Sequence, residues 1–89
     1  YLWRRKVLMS WNYRVVRHVY KDSSEHYKIH EVYYSTDEHG VTSITAWSSE
    51  GMAPFGVTPD ELKEDLGYML AAFEKPILHA EDLPGYKDD

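Results

Sequence analysis

Five side chains in the first half of the chain could do chemistry: His18, His26, His30, Glu31 and Tyr33. His26 and His30 stand in an H-x-x-x-H spacing. On a helix that spacing brings two imidazoles to one metal ion. On a strand, at about 3.3 Å per residue, it holds them roughly 13 Å apart, too far for two ligands that each sit ~2.0–2.1 Å from a zinc ion. The surrounding "HYKIHEVYY" alternates polar and aromatic residues, which is the strand pattern, so no metal site and no cofactor are expected.

His18, His30, Glu31 and Tyr33 could instead form an acid–base group beside an aromatic surface. The competing reading pairs Glu31 with Arg14 and leaves the histidines at hydrogen-bonding rims, and that non-catalytic reading is the one adopted. The chain has no cysteine, which removes disulfides, thiolate metal sites and a thiol nucleophile. It contains no nucleophile elbow, phosphate-cradling glycine loop or zinc-protease motif. Ser48-Ser49-Glu50-Gly51 has the composition of a turn. No catalytic residue is expected.

These side chains must be positioned by a small number of elements. Eighty-nine residues make one domain, and a chain of that size withdraws only about 60% of its unfolded surface from water. Association is a common way to add burial. "WNYRVVRHVY" (11–20) and residues 26–36 are rich in β-branched and aromatic residues and read as strands. Between strands two and three, "DEHGV" fits a three-residue hairpin loop, Glu38-His39-Gly40, with Gly40 in the left-handed position. Residues 41–48 form the third strand, and "SSEGMAPFG" is a loop.

In "TPDELKEDLGYMLAAFEKP", Thr58 is placed as N-cap, Pro59 as the first helical residue and Glu61 three after the cap. Acidic residues crowd the first turns, where the helix dipole favours them. Leu62, Leu66, Met69, Leu70 and Phe73 recur at helical spacing. The expected fold is α+β: a three-stranded antiparallel β-meander with one C-terminal helix packed on one face (β-β-β-α). Residues 1–8 form an extension and a possible extra N-terminal strand, 9–80 the domain, and 81–89 an irregular tail.

Hairpin geometry then assigns the faces. Asp37 opposite Val41 puts Tyr34 opposite Ile44 and Val32 opposite Ala46. A first turn closed by "DSSE" puts Lys21 opposite His26, Val15 opposite Val32 and Tyr13 opposite Tyr34. The helix would cover Tyr13, Val15, Val19, Val32, Tyr34, Ile44 and Ala46, with Trp11 at the edge. His18 would lie on the face opposite His30. An open face would present Arg14, Val16, His18, Tyr20, Tyr27, Ile29, Glu31, Tyr33 and Trp47, a set with the Tyr, Trp and Arg content of interfaces.

Charge narrows the partners. Residues 1–20 carry five basic side chains and no acid, whereas residues 21–89 carry five lysines and fifteen acids. An acidic body argues against broad nucleic-acid binding, and no apolar run approaches the ~20 residues of a membrane span. The expectation is a cytoplasmic, non-enzymatic interaction module, a homodimer or higher homo-oligomer, with an unidentified protein partner as a further option. The alternative is a small-ligand or regulatory protein with a pocket between the helix and the Met52-Ala53-Pro54-Phe55 loop, lined by Met52, Phe55 and Met69.

The segments "WNYRVVRH", "YKIHEVYY", "HG" and "ELKEDLGYMLAAFEKPIL" resemble a group of small uncharacterised bacterial proteins that begin near M-x-WNYRV, carry HEVYY before an acidic glycine turn and end LEALxKPVL. The resemblance spans about Met9 to Asp82. It implies a bacterial source and a β-β-β-α unit, and carries over no catalytic residue. A fainter likeness is to the half-fold of HicB-type antitoxins, which also place three strands before a helix. In those proteins DLPG lies between strand and helix; here Asp82-Leu83-Pro84-Gly85 follows the helix, and no DNA-binding segment comes after it.

Overall fold

Strand β1 (Leu8–Val19) runs antiparallel to β2 (Glu25–Thr36), which runs antiparallel to β3 (Thr42–Trp47). The computed structural model describes residues 8–87, and most of the expected N-terminal extension lies outside them. Helix α1 (Pro59–Ala71) follows, prolonged by a 3-10 turn at Ala72–Glu74. A two-residue strand, β4 (Leu78–His79), then pairs parallel to β1, giving the order β3-β2-β1-β4. The fold is α+β as expected, but among the described residues the sheet has four strands and is mixed.

Local chemistry explains the turns and the helix start. Gly40 adopts φ +80° and its N–H reaches the Asp37 carbonyl at 3.0 Å, while Asp37 N–H reaches the Val41 carbonyl at 2.9 Å. That is the predicted loop. At the helix, Thr58 Oγ1 accepts from Glu61 N–H at 3.1 Å. The Glu61 carboxylate reaches back one residue beyond the cap, accepting from Val57 N–H at 2.9 Å. Gly56 lets this start close up, since a Cβ there would fall 2.2 Å from the Leu62 backbone nitrogen.

The first hairpin departs from expectation. Tyr20 N–H donates to the Ser24 carbonyl at 3.0 Å and Ser23 N–H to the Tyr20 carbonyl at 2.8 Å, so the loop is Lys21-Asp22-Ser23. Ser23 occupies the left-handed region at φ +71°, where glycine is the usual occupant. The Asp22 carboxylate holds the turn by accepting from Ser24 N–H at 3.0 Å and Ser24 Oγ at 2.7 Å. Val15 therefore lies opposite Ile29, and Tyr13 opposite Glu31. The register differs from the expected one by three residues, an odd number, which exchanges the faces of β2 relative to β1.

A second irregularity follows. Tyr34 pairs with Ile44 as expected, but the ladder shifts so that Tyr33 faces Ala46 and Val32 faces Trp47. Thr45 is the extra residue of this bulge, and it turns Trp47 to the face that Val32 occupies.

Two small cores result, one on each face. Under the helix, Tyr13 and Val15 pack with Met69 and Ala72, flanked by Ile29 and Met52. The buried Tyr13 hydroxyl donates to Asp65 Oδ1 at 2.6 Å, and Asp65 Oδ2 accepts from Phe55 N–H at 2.8 Å, tying helix, loop and sheet together. On the other face Val16 packs with Ala80 and Leu83, flanked by Ile44, Trp47, Leu78 and Tyr86. The segment expected to be an irregular tail is thus a structural cover. A short 3-10 turn, Ala80–Asp82, places Leu83 against the sheet, and Trp47 Nε1–H donates to the Pro84 carbonyl at 2.8 Å.

Leu83→Ala should cost about 2–5 kcal/mol in urea unfolding, whereas a fraying tail would leave the midpoint unchanged. Ser23→Gly should stabilise by up to ~1 kcal/mol, because it relieves the left-handed serine.

Candidate functional site

Side chains of β1, β2 and β3, with Tyr20 just beyond the end of β1, converge beneath the tail. His18 Nε2 lies 2.9 Å from His30 Nε2. Rings continue on either side: Tyr20 stacks on His18 with centroids 6.2 Å apart, and Trp47 lies 4.9 Å from His30. His26 closes the row against Tyr20, with centroids 4.8 Å apart. His18 and His30 thus share a face, against expectation, because the three-residue first loop set the register. The curl of the sheet carries them together from ladder positions four residues apart.

Hydrogen bonding fixes the tautomers of this pair. His30 Nδ1 sits 2.9 Å from the Ser48 carbonyl, which can only accept, so Nδ1 carries the proton and Nε2 is bare. Ser48 Oγ, 3.1 Å from the same nitrogen, also accepts there, because its own hydrogen goes to the Glu50 carbonyl at 2.9 Å. His18 must then donate from Nε2–H to His30, leaving its Nδ1 lone pair available. His30 is almost wholly buried, whereas His18 is partly open. Burial lowers the pKa of both, and the Lys28 ammonium lowers both further. His18 can accept a proton at Nδ1 and keep its bond to His30; a proton on His30 Nε2 would break it.

The remaining expected site residues are divided. Arg14, Val16, His18, Tyr20 and Trp47 lie on the tail-covered face, whereas Tyr27, Ile29, Glu31 and Tyr33 lie on the helix side. They do not form one surface. Arg14 is taken up structurally: its guanidinium donates to the Pro76 carbonyl at 2.6 Å and to Tyr34 Oη at 3.0 Å. Tyr33 donates to Glu31, and that bond raises the Tyr33 pKa. The acid–base group considered from sequence is therefore split, with Glu31 on the opposite face from both histidines.

The loop–helix pocket also takes a different form. Met52 and Met69 pack into the helix-side core, while Phe55 is 73% exposed. The open cleft lies instead on the tail side, with His18, Tyr20, Lys28, Trp47, Pro84 and Tyr86 among its walls. Sequence reasoning missed Lys28, Ser48 and the tail residues, since their roles depend on register and on a backbone carbonyl. Among the described residues, no group of three or more His, Cys, Asp or Glu side chains could hold a metal ion, and no helix is long and apolar enough to cross a membrane.

A second surface stands out on α1. Asp65, Met69 and Ala72 face the sheet. Leu62, Leu66, Leu70 and Phe73 lie on the adjoining flank, where Leu70 is 67% and Phe73 65% exposed. The apolar sector of the helix is wider than the strip the sheet covers.

No protein-family model, curated protein or solved structure matches the chain.

The histidine pair sets a pH dependence. Both folded-state pKa values lie below the unfolded value of about 6.5. Below that pH the unfolded chain binds more protons, so this contribution to stability is complete above it and is lost as pH falls. Melting temperature should drop between about pH 7 and pH 5, and His30→Gln should flatten the drop.

Proposed function

We propose that this chain is a non-enzymatic interaction module that associates with a second copy of itself through the uncovered flank of α1. The observation that carries this reading is the exposure of Leu62, Leu66, Leu70 and Phe73, spaced i, i+4, i+8 and i+11. Monomeric proteins seldom leave a contiguous apolar patch to water unless it has a partner. Phe55, Val57 and Ile77 extend the exposed apolar surface of the segments that flank the helix.

Symmetry and charge favour a second copy as that partner. A two-fold dimer brings the same patch of both subunits together, so two α1 helices would meet antiparallel. Lys63 lies one turn inside the start of the helix, and Glu74 lies in the 3-10 turn that ends it. Antiparallel pairing centred between Tyr68 and Met69 sets each Lys63 against the other copy's Glu74, an attractive pair repeated by the two-fold axis. Gly67 sits near that centre and a Cβ there would meet nothing within 4 Å, so its bare backbone permits close approach at helix-pair distances of about 8–10 Å. Separation of Glu31 from His18 and His30 supports the non-enzymatic part of the reading.

Sedimentation velocity should give a mass above the 10.5 kDa monomer. Leu70→Glu should return the monomer without lowering the melting temperature, since Leu70 is largely solvent-facing. Lys63→Glu should weaken association, and adding Glu74→Lys should restore it. A wild-type chain that sediments as a monomer at high micromolar concentration overturns the reading.

A further inference from the structure

The tail-covered face holds a cleft of about 580 Å³ between β1, the end of β3 and the segment Pro84–Lys87. That volume falls in the range of small-molecule sites, roughly 300–1,000 Å³. Its walls are aromatic at His18, Tyr20, Trp47 and Tyr86. The tail wall is fixed to the sheet by the bond from Trp47 to the Pro84 carbonyl at 2.8 Å and by buried Leu83.

The charge of the lining differs from that of the chain. Acids outnumber basic residues fifteen to ten overall, yet among the described residues the cleft is lined by Lys28 and Lys87 and by no carboxylate. Lys28 has no ion-pair partner among the described residues. Its stem is confined by the loop, because a Cβ on Gly51 would come within 3.2 Å of Lys28 Cβ and Cδ. His18 lines the same cleft, and His30 behind it engages Nε2, leaving Nδ1 as the unused nitrogen.

We propose that this cleft binds a small planar aromatic carboxylate, with its ring against Trp47, His18 and Tyr20 and its carboxylate at Lys28. Ring stacking supplies the apolar contact, and the lysine supplies a charge-assisted hydrogen bond. An anion at this position offsets the Lys28 charge felt by His18. His18 is also faced by His26 on β2, by His30 behind it and by Glu81 in the turn after β4. With the Lys28 charge offset, a proton at His18 Nδ1 is less strongly opposed, and His18 can hold it while still donating to His30. Binding is therefore coupled to proton uptake by His18.

The test uses indole-3-carboxylate as probe, with indole-3-carboxamide and cyclohexanecarboxylate as controls, followed by amide and histidine NMR shifts and by calorimetry in buffers of different ionisation enthalpy. The expected result is a shift set centred on His18, Lys28 and Trp47 for the aromatic carboxylate, with each control at least roughly tenfold weaker. Buffer-dependent heat should report the proton taken up. Lys28 is exposed, so Lys28→Met should leave the fold intact, weaken the carboxylate by a similar factor and leave the carboxamide unchanged. Equal binding of carboxylate and carboxamide, no effect of Lys28→Met, or shifts only on adding zinc would each overturn the proposal. The Leu70→Glu variant should bind as the wild type does, which separates this result from the state of association.

Discussion

Val15 and Val16 are neighbours in β1 and are both buried, so they must be covered from opposite sides of the sheet. Alternation along a strand makes this unavoidable, and most of the architecture answers it. The helix supplies Met69 and Ala72 over Val15, and the tail supplies Ala80 and Leu83 over Val16. β4 adds its pair of residues beside Val16 and Arg17, which makes β1 an interior strand. A single helix on a three-stranded meander would have left Val16 in water.

The features that could be read in advance depend on a few adjacent residues. Glycine in the Glu38-His39-Gly40 loop, and the Thr58, Pro59 and Glu61 arrangement at the helix start, each have one low-energy local solution, and both are present. The first hairpin was illegible because Ser23 takes the position where glycine would have marked the turn. Nothing in "TSITAW" marks Thr45 as a bulge. These two departures decide the faces of β2 and the orientation of Trp47. The candidate site depends on both: its residue types are plain in the sequence, and their juxtaposition is not. His18 and His30 meet only in the observed register.

The same contrast holds for the helix. Its spacing revealed the apolar sector, but not which part of that sector the sheet would take. Asp65 settles this by accepting from Tyr13 Oη and Phe55 N–H, which rotates Leu66, Leu70 and Phe73 outward. A half-buried hydrogen-bonded carboxylate thus orients an apolar surface. On the other face, two neutral imidazoles and a backbone carbonyl set the polarity of a cleft. In each case a polar contact determines where nearby nonpolar groups point.

The tail across the second face also orders events in time. Val16 belongs to β1, and its cover, Ala80 and Leu83, is more than sixty residues later in the chain. Both hairpins can close by local contacts while synthesis continues. The sheet, however, keeps one greasy side bare until Leu83 has left the ribosome. The interval between hairpin closure and the arrival of that residue is when a nascent copy is most open to pairing with its neighbours on a polysome.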